Sequence, residues 1–269
     1  MSSPSGEHDN PAVAGRWLEA ARRLLDHIAT TQMETIATSA AWCADAIVSG
    51  GLVHLFGSGH SRIPVEEMFP RYGSFPGFHP IVELSMTFHT NVVGSNGQRQ
   101  AMFIERSEGL AEVILANFRF RPTDLMIVFS ASGRSAVPIE MAMCARDRGL
   151  RVIAVTSLTE TMSLPPSHSS GTTLRDHADL VIDIGTPAGD ALIDLEGLEY
   201  PVGPGSSLAN ISVVNELKVQ TAAHLVELGY APIVLSAASL VGAERSARLF
   251  DEAYAEHARR LAATLRTND

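Results

Sequence analysis

Two hydroxyl-rich stretches carry most of the chemistry this sequence offers. Gly57-Ser58-Gly59-His60-Ser61 follows an apolar run at residues 51–56, and Ser130-Ala131-Ser132-Gly133-Arg134-Ser135 follows another at 124–129. A helical pattern begins behind each. Closely spaced hydroxyls, glycines that let the backbone approach a ligand, and the unpaired N–H groups of a helix start together suit an anion, above all a phosphate. One such loop is weak evidence, because strand-to-helix turns are often Gly/Ser-rich for steric reasons. The repetition informs more. Two strand–loop–helix units place both loops on one edge of a parallel sheet, beyond the carboxyl ends of its strands, where ligands bind.

Groups able to move protons lie nearby in the chain. Ser212, Glu216, Gln220 and His224 recur every fourth residue, one polar line on a helix otherwise built of residues such as Val213, Val214 and Leu217. A line of this kind is as often a solvent-facing stripe as a functional one. Glu216 lies about three turns or fewer beyond the Gly203-Pro204-Gly205-Ser206-Ser207 loop that opens this helix, which makes it a candidate acid–base group, with His224 deeper. His60, inside the first loop, is a candidate for ligand contact. His54, in the apolar run, reads as a core residue whose nitrogens must find partners. Arg134 is either a phosphate clamp or a solvated side chain. His168 and His177 lack metal-ligand spacing, and Cys43 and Cys144 read as buried thiols of a reduced compartment. Neither a metal nor a cofactor is expected.

The elements that must hold these residues read as one α/β domain. At 269 residues, 45% hydrophobic and 19% charged, the chain can bury a substantial core. A net charge of -10 argues against nucleic-acid binding and requires local donors for any anion. No apolar stretch approaches the ~20 residues that span a bilayer, and the first residues lack a leader pattern, so no membrane association and a cytoplasmic location are expected. Residues 1–10 read as a flexible tail. Residues 11–269 form the domain, with helical extensions at 11–49 (broken near Thr30-Thr31-Gln32) and 236–266. Strand patterns fall near 51–57, 78–84, 124–129, 151–156 and 180–184. Helical spacing covers 64–72, 107–118, 136–149, 208–228 and 243–265, with Ser206 or Ser207 as an N-cap. Residues 85–104 and 157–176 show no clean period, and the first of these reads as a loop covering the site.

The two loops, with Gly203-Pro204-Gly205-Ser206-Ser207 as the third piece, resemble the SIS (sugar isomerase) domain family over roughly residues 35–230. The stretch from Pro187-Ala188-Gly189-Asp190 to Val202-Gly203-Pro204 is similar to one branch, stand-alone bacterial phosphosugar isomerases or phosphosugar-binding proteins. The resemblance implies a flavodoxin-like five-stranded parallel sheet with helices on both faces, a sugar phosphate ligand, and a homodimer or homotetramer with sites near subunit interfaces. Carried over by position, Ser130, Ser132, Gly133 and Ser135 would hold the phosphate, while Gly57, Ser58, Gly59 and Ser61 would face the sugar, joined by Ser206 and Ser207. Glu216 resembles the glutamate found on this helix in family isomerases. Glu66-Glu67-Met68-Phe69-Pro70-Arg71-Tyr72 resembles a helix of the sedoheptulose 7-phosphate isomerases, where a glutamate is catalytic. The plain alternative for Glu67 is an acid paired with Arg71. Those isomerases carry a metal-binding histidine one turn earlier, where this chain has Ile63, so no metal site is expected here either.

The resemblance leaves the reaction open. One reading is aldose–ketose isomerisation by Glu216 and Glu67 with help from His60 or His224. The other is a non-catalytic phosphosugar sensor acting through a protein partner. Dinucleotide binding fits poorly: Gly57-x-Gly59 with Glu83 downstream lacks the third glycine, Arg62 standing in its place.

Overall fold

The computed structural model describes residues 13–86 and 97–265. Five parallel strands, β1 (Val53–Gly57), β2 (Phe78–Ile81), β3 (Leu125–Phe129), β4 (Arg151–Thr156) and β5 (Leu180–Asp183), form one sheet in the order β2-β1-β3-β4-β5. This is the flavodoxin-like order, whose reversal beside β1 opens a crevice between β1 and β3. The register pairs Val53 with Leu125 and Gly57 with Phe129, so both hydroxyl-rich loops leave the sheet at the same level. Side chains alternate between two cores. Leu55, Ile127 and Val155 face one, and Phe56, Val128 and Ala154 face the other. Burial on both faces explains why these strands read as unbroken apolar runs.

Helices α1 (Arg16–Thr31) and α2 (Met33–Val48) break at Gln32, whose side-chain oxygen accepts from Asp183 N–H at 3.0 Å and ties the break to the sheet edge. The remaining helices are α3 (Ile63–Met68), α4 (Gly97–Ile104), α5 (Leu110–Leu115), α6 (Ala136–Asp147), α7 (Leu158–Ser163), α8 (Ser206–Glu227), α9 (Ala238–Val241) and α10 (Ala243–Ala262). Helix α2 packs along α8 on one face of the sheet, while α6 covers the other. Arg260 of α10 donates to Ile47 O and Gly51 O, which fastens the C-terminal extension under the start of β1.

The structure departs from the sequence expectations at four points. Residues 97–104 form α4; residues 87–96 of the expected covering loop and the expected tail at 1–10 lie outside the described residues. Residues 158–163, within the segment read as irregular, form α7, started by Ser157, whose hydroxyl accepts from Glu160 N–H. The Gly/Pro-rich stretch before α8 contains an antiparallel hairpin, β6 (Ala191–Ile193) with β7 (Val202–Pro204), too short to show a period. Gly205, not a serine, is the N-cap of α8; Ser206 takes the first helical position because its hydroxyl donates to Asp190 instead.

Candidate functional site

An open cleft of about 660 Å³ lies at the carboxyl ends of β1 and β3. The first loop reaches it with Ser58, Gly59, His60 and Ser61, the second with Ser130, Ser132 and Ser135, and α8 with Ser206. Gly57 and Gly133 shape the loops from behind. A Cβ at Gly57 would sit 2.1 Å from the Ser61 carbonyl oxygen, so the loop folds back more tightly than any side chain permits. Gly133 has φ +60°, and its N–H donates to Ser130 Oγ at 3.1 Å. The serine loop is thereby fixed before any ligand arrives.

Sequence reasoning missed a carboxylate in the lining of this cleft. Glu105 follows α4 directly and lines the cleft together with Ser58 and Ser135, whose hydroxyls act on its carboxyl. Ser135 is the N-cap of α6 but leaves the helix uncapped by its side chain, so its hydroxyl stays available to the cleft. Val137 N–H donates to the Glu105 carbonyl at 3.0 Å, anchoring the residue to the same helix. Burial pushes the Glu105 carboxyl above the ordinary carboxylate range, against the opposing pull of Ser135, Ser58 and Arg106. Its position at the end of an aperiodic stretch hid it; both serine partners are far away in sequence.

The other acids expected to act lie outside the cleft lining. Glu67 sits between α3 and α8, accepting from Arg71 at 2.7 Å and Asn215 at 3.3 Å, with Lys218 Nζ at 3.6 Å. Burial works to raise its pKa, but Arg71, Lys218 and Asn215 together hold it below the usual range. Glu216 accepts from Gln220 at 2.7 Å, and His224 pairs with Glu227 at 3.2 Å, so both are engaged by neighbours on α8 itself. His60 is exposed in the cleft wall, whereas Ser207 is half-buried away from the lining. Arg134 lines the cleft, yet its guanidinium pairs with Glu160 at 2.8 Å, and Glu160 in turn accepts from Gly189 N–H. His54 is buried as expected, with Nδ1 2.9 Å from His79 Nδ1. Burial pushes the Cys43 thiol up to about 12, consistent with an inert core residue.

Glu108, Glu140 and His168 also meet, their polar atoms within 4.8 Å of one another. Ser170 N–H donates to His168 Nδ1 at 3.1 Å, which leaves the proton on Nε2, 3.4 Å from Glu140 Oε1. A metal-bound imidazole instead donates from its free nitrogen. The trio reads as a hydrogen-bonded clasp holding the loop after α7, which brings Ser167 to the cleft wall.

A family model described as SIS domain matches residues 16–157. A UPF0309 protein of Listeria monocytogenes serotype 4b (strain CLIP80459) is 30% identical over 244 residues, covering 91% of this chain and 96% of that one. A UPF0309 protein of Streptomyces coelicolor is 32% identical over 242 residues, covering 89% and 94%. Among solved structures, a phosphoheptose isomerase from Francisella tularensis covers 76% of this chain and 94% of that chain, with TM-score 0.49 and 15% identity. Among the described residues, no helix is long and apolar enough to cross a membrane.

Proposed function

The chain belongs to the SIS domain family, and from that premise we propose that it binds a sugar phosphate in the serine-lined cleft and interconverts its aldose and ketose forms. Ser130, Ser132 and the start of α6 take the phosphate. The first loop faces the sugar. Glu105 supports this reading most directly, because it is a carboxyl of raised pKa poised between the two loops. Isomerisation needs a base that removes a proton from C2 and returns it to C1 through an enediol, while a second group moves a proton between O1 and O2. A carboxylate whose pKa is lifted toward working pH is a stronger base than an ordinary one. Glu105 takes that role, and His60, exposed in the same cleft, suits the proton transfers at oxygen.

A homodimer or homotetramer with the cleft near a subunit interface belongs to the same proposal, and light scattering coupled to size exclusion tests it. The function itself is tested first by thermal shift against pentose, hexose, hexosamine and heptose phosphates beside their unphosphorylated sugars. A ligand at ~100 times its Kd should stabilise by roughly 2.7 kcal/mol. NMR in D2O then follows conversion and exchange of the transferred proton. Expected are stabilisation by phosphates alone and turnover with one of them. Tight binding of a sugar phosphate without conversion of any would assign the sensing role instead.

A further inference from the structure

Asp190 lines the same cleft and has no part in the proton transfers described. It is the one non-glycine residue with positive φ among the described residues, at 66°. The turn that sets it there is closed by Asp190 N–H donating to Pro187 O at 3.0 Å, and Glu160 holds the preceding Gly189 N–H at 2.6 Å. Its carboxylate lies on the N-terminus of α8. Oδ1 accepts from Gly205 N–H at 3.2 Å and Ser206 N–H at 2.7 Å, while Oδ2 accepts the Ser206 hydroxyl at 2.6 Å. A carboxylate offers about four acceptor positions, so Oδ2 retains one for a ligand.

This placement has two consequences. The α8 N-terminus, otherwise a ready anion site, is already occupied by an anion of the chain itself, which leaves the serine loop for the phosphate. The cleft also carries a fixed negative charge at that point. Of the two arginines in its lining, Arg134 is matched by Glu160, and Arg106 acts on the neighbouring Glu105.

We propose that Asp190 is a specificity-determining residue: beyond one phosphate, the cleft accepts hydroxyl or ammonium donors and discriminates against a second anionic group on the ligand. The inference rests on the sugar-phosphate reading above. Calorimetric titration of the whole chain with glucose 6-phosphate, glucosamine 6-phosphate, 6-phosphogluconate and inorganic phosphate tests it, in the wild type and in Asp190→Asn. Asparagine tolerates the left-handed backbone and keeps one acceptor oxygen, so the turn survives. The wild type should bind 6-phosphogluconate at least about tenfold more weakly than glucose 6-phosphate, the scale of a screened charge–charge repulsion. In Asp190→Asn that gap should close, and any advantage of glucosamine 6-phosphate should vanish.

A merely structural cap would lower the melting temperature of the variant and leave the ratio unchanged, which overturns the inference. It is equally overturned if wild-type protein does not prefer glucose 6-phosphate to 6-phosphogluconate. Inorganic phosphate then separates the two failures. If it binds, the phosphate reading stands and only the role of Asp190 falls; if it does not, both fall.

Discussion

Strand β1 carries a polar group near each end, and the two ends behave differently. Near its start, His54 meets His79 and Asp124, and His79 in turn meets His257, all four buried, beside the rings of Phe118 and Phe120. Asp124 accepts from Leu52 N–H at 2.8 Å and Arg121 N–H at 2.7 Å, and lies 3.3 Å from His54 Nε2. Four residues further on, Ser58 opens into the cleft beside Glu105 and the serine loop. Both ends bring together histidine, acid and hydroxyl or amide groups. At the closed end the carboxylate is held by the protein's own donors and both ring partners are buried; at the open end polar groups face a space large enough for a ligand. A titratable residue with a shifted pKa is therefore poor evidence of a site unless open volume and an unsatisfied partner accompany it.

The sharpest test of this contrast replaces an acid at each place. Glu105→Gln should reduce turnover by roughly 10²–10⁴-fold, the usual contribution of a positioned acid–base group, while binding persists. The double variant Glu67→Gln/Glu216→Gln should retain turnover; the opposite pattern in the NMR assay would move the chemistry to the α8 side. Asp124→Ala at the closed end should cost about 3 kcal/mol of unfolding free energy, because Leu52 N–H and Arg121 N–H lose their buried acceptor. Ligand affinity of the folded fraction should not change, and urea unfolding with calorimetry on one sample would reveal any exception. Ser132→Ala is the mirror case. It removes one hydroxyl from the phosphate loop and should weaken sugar-phosphate binding by about tenfold with little effect on stability, as expected for one hydrogen bond to a charged group.

The same contrast explains what could be read from the sequence. Continuous apolar runs ending in Gly/Ser loops located β1, β3 and both loops, because burial on two faces and backbone geometry are local demands. Ser58, Ser130, Ser132 and Ser135 therefore converge in the cleft. Glu105 left no such trace, and Asp190 stood in a stretch noted only for its resemblance to one branch of the family. One follows a helix that opens beyond an aperiodic segment, the other ends a tight turn before a three-residue strand, and each acquires its role from partners distant in the chain. Glu67 and Glu216 drew notice because helical spacing is legible, yet which face of α3 or α8 meets the cleft is a matter of tertiary packing. The closed cluster was equally hidden, since His54 and His79 meet only through the β1–β2 register, which pairs them directly.

The last predicted effect also belongs to the closed end and builds up gradually with pH. Burial, with His54 and His257 adding to it and Asp124 opposing, lowers the pKa of His79 to about 3. The folded protein therefore keeps this ring neutral across most of the acidic range, whereas the unfolded chain takes up a proton near the ordinary value of about 6.5. More protons bind to the unfolded state, so stability falls as pH drops below about 6.5, by roughly 1.4 kcal/mol per unit for this one group. His257, lowered by burial and by Arg260, acts in the same direction. The depressed Asp124 adds its own loss only nearer pH 4, where the unfolded carboxyl begins to protonate. Urea unfolding between pH 6.5 and 5 reads the histidines together with Glu105, whose raised carboxyl works in the opposite sense, so comparison with His79→Gln isolates the share of that ring. The slope should correspond to about one proton or more and should diminish in His79→Gln. A flat profile over that interval would mean that the closed end admits the proton, and with it water, and the distinction between the two ends of β1 would then be one of degree.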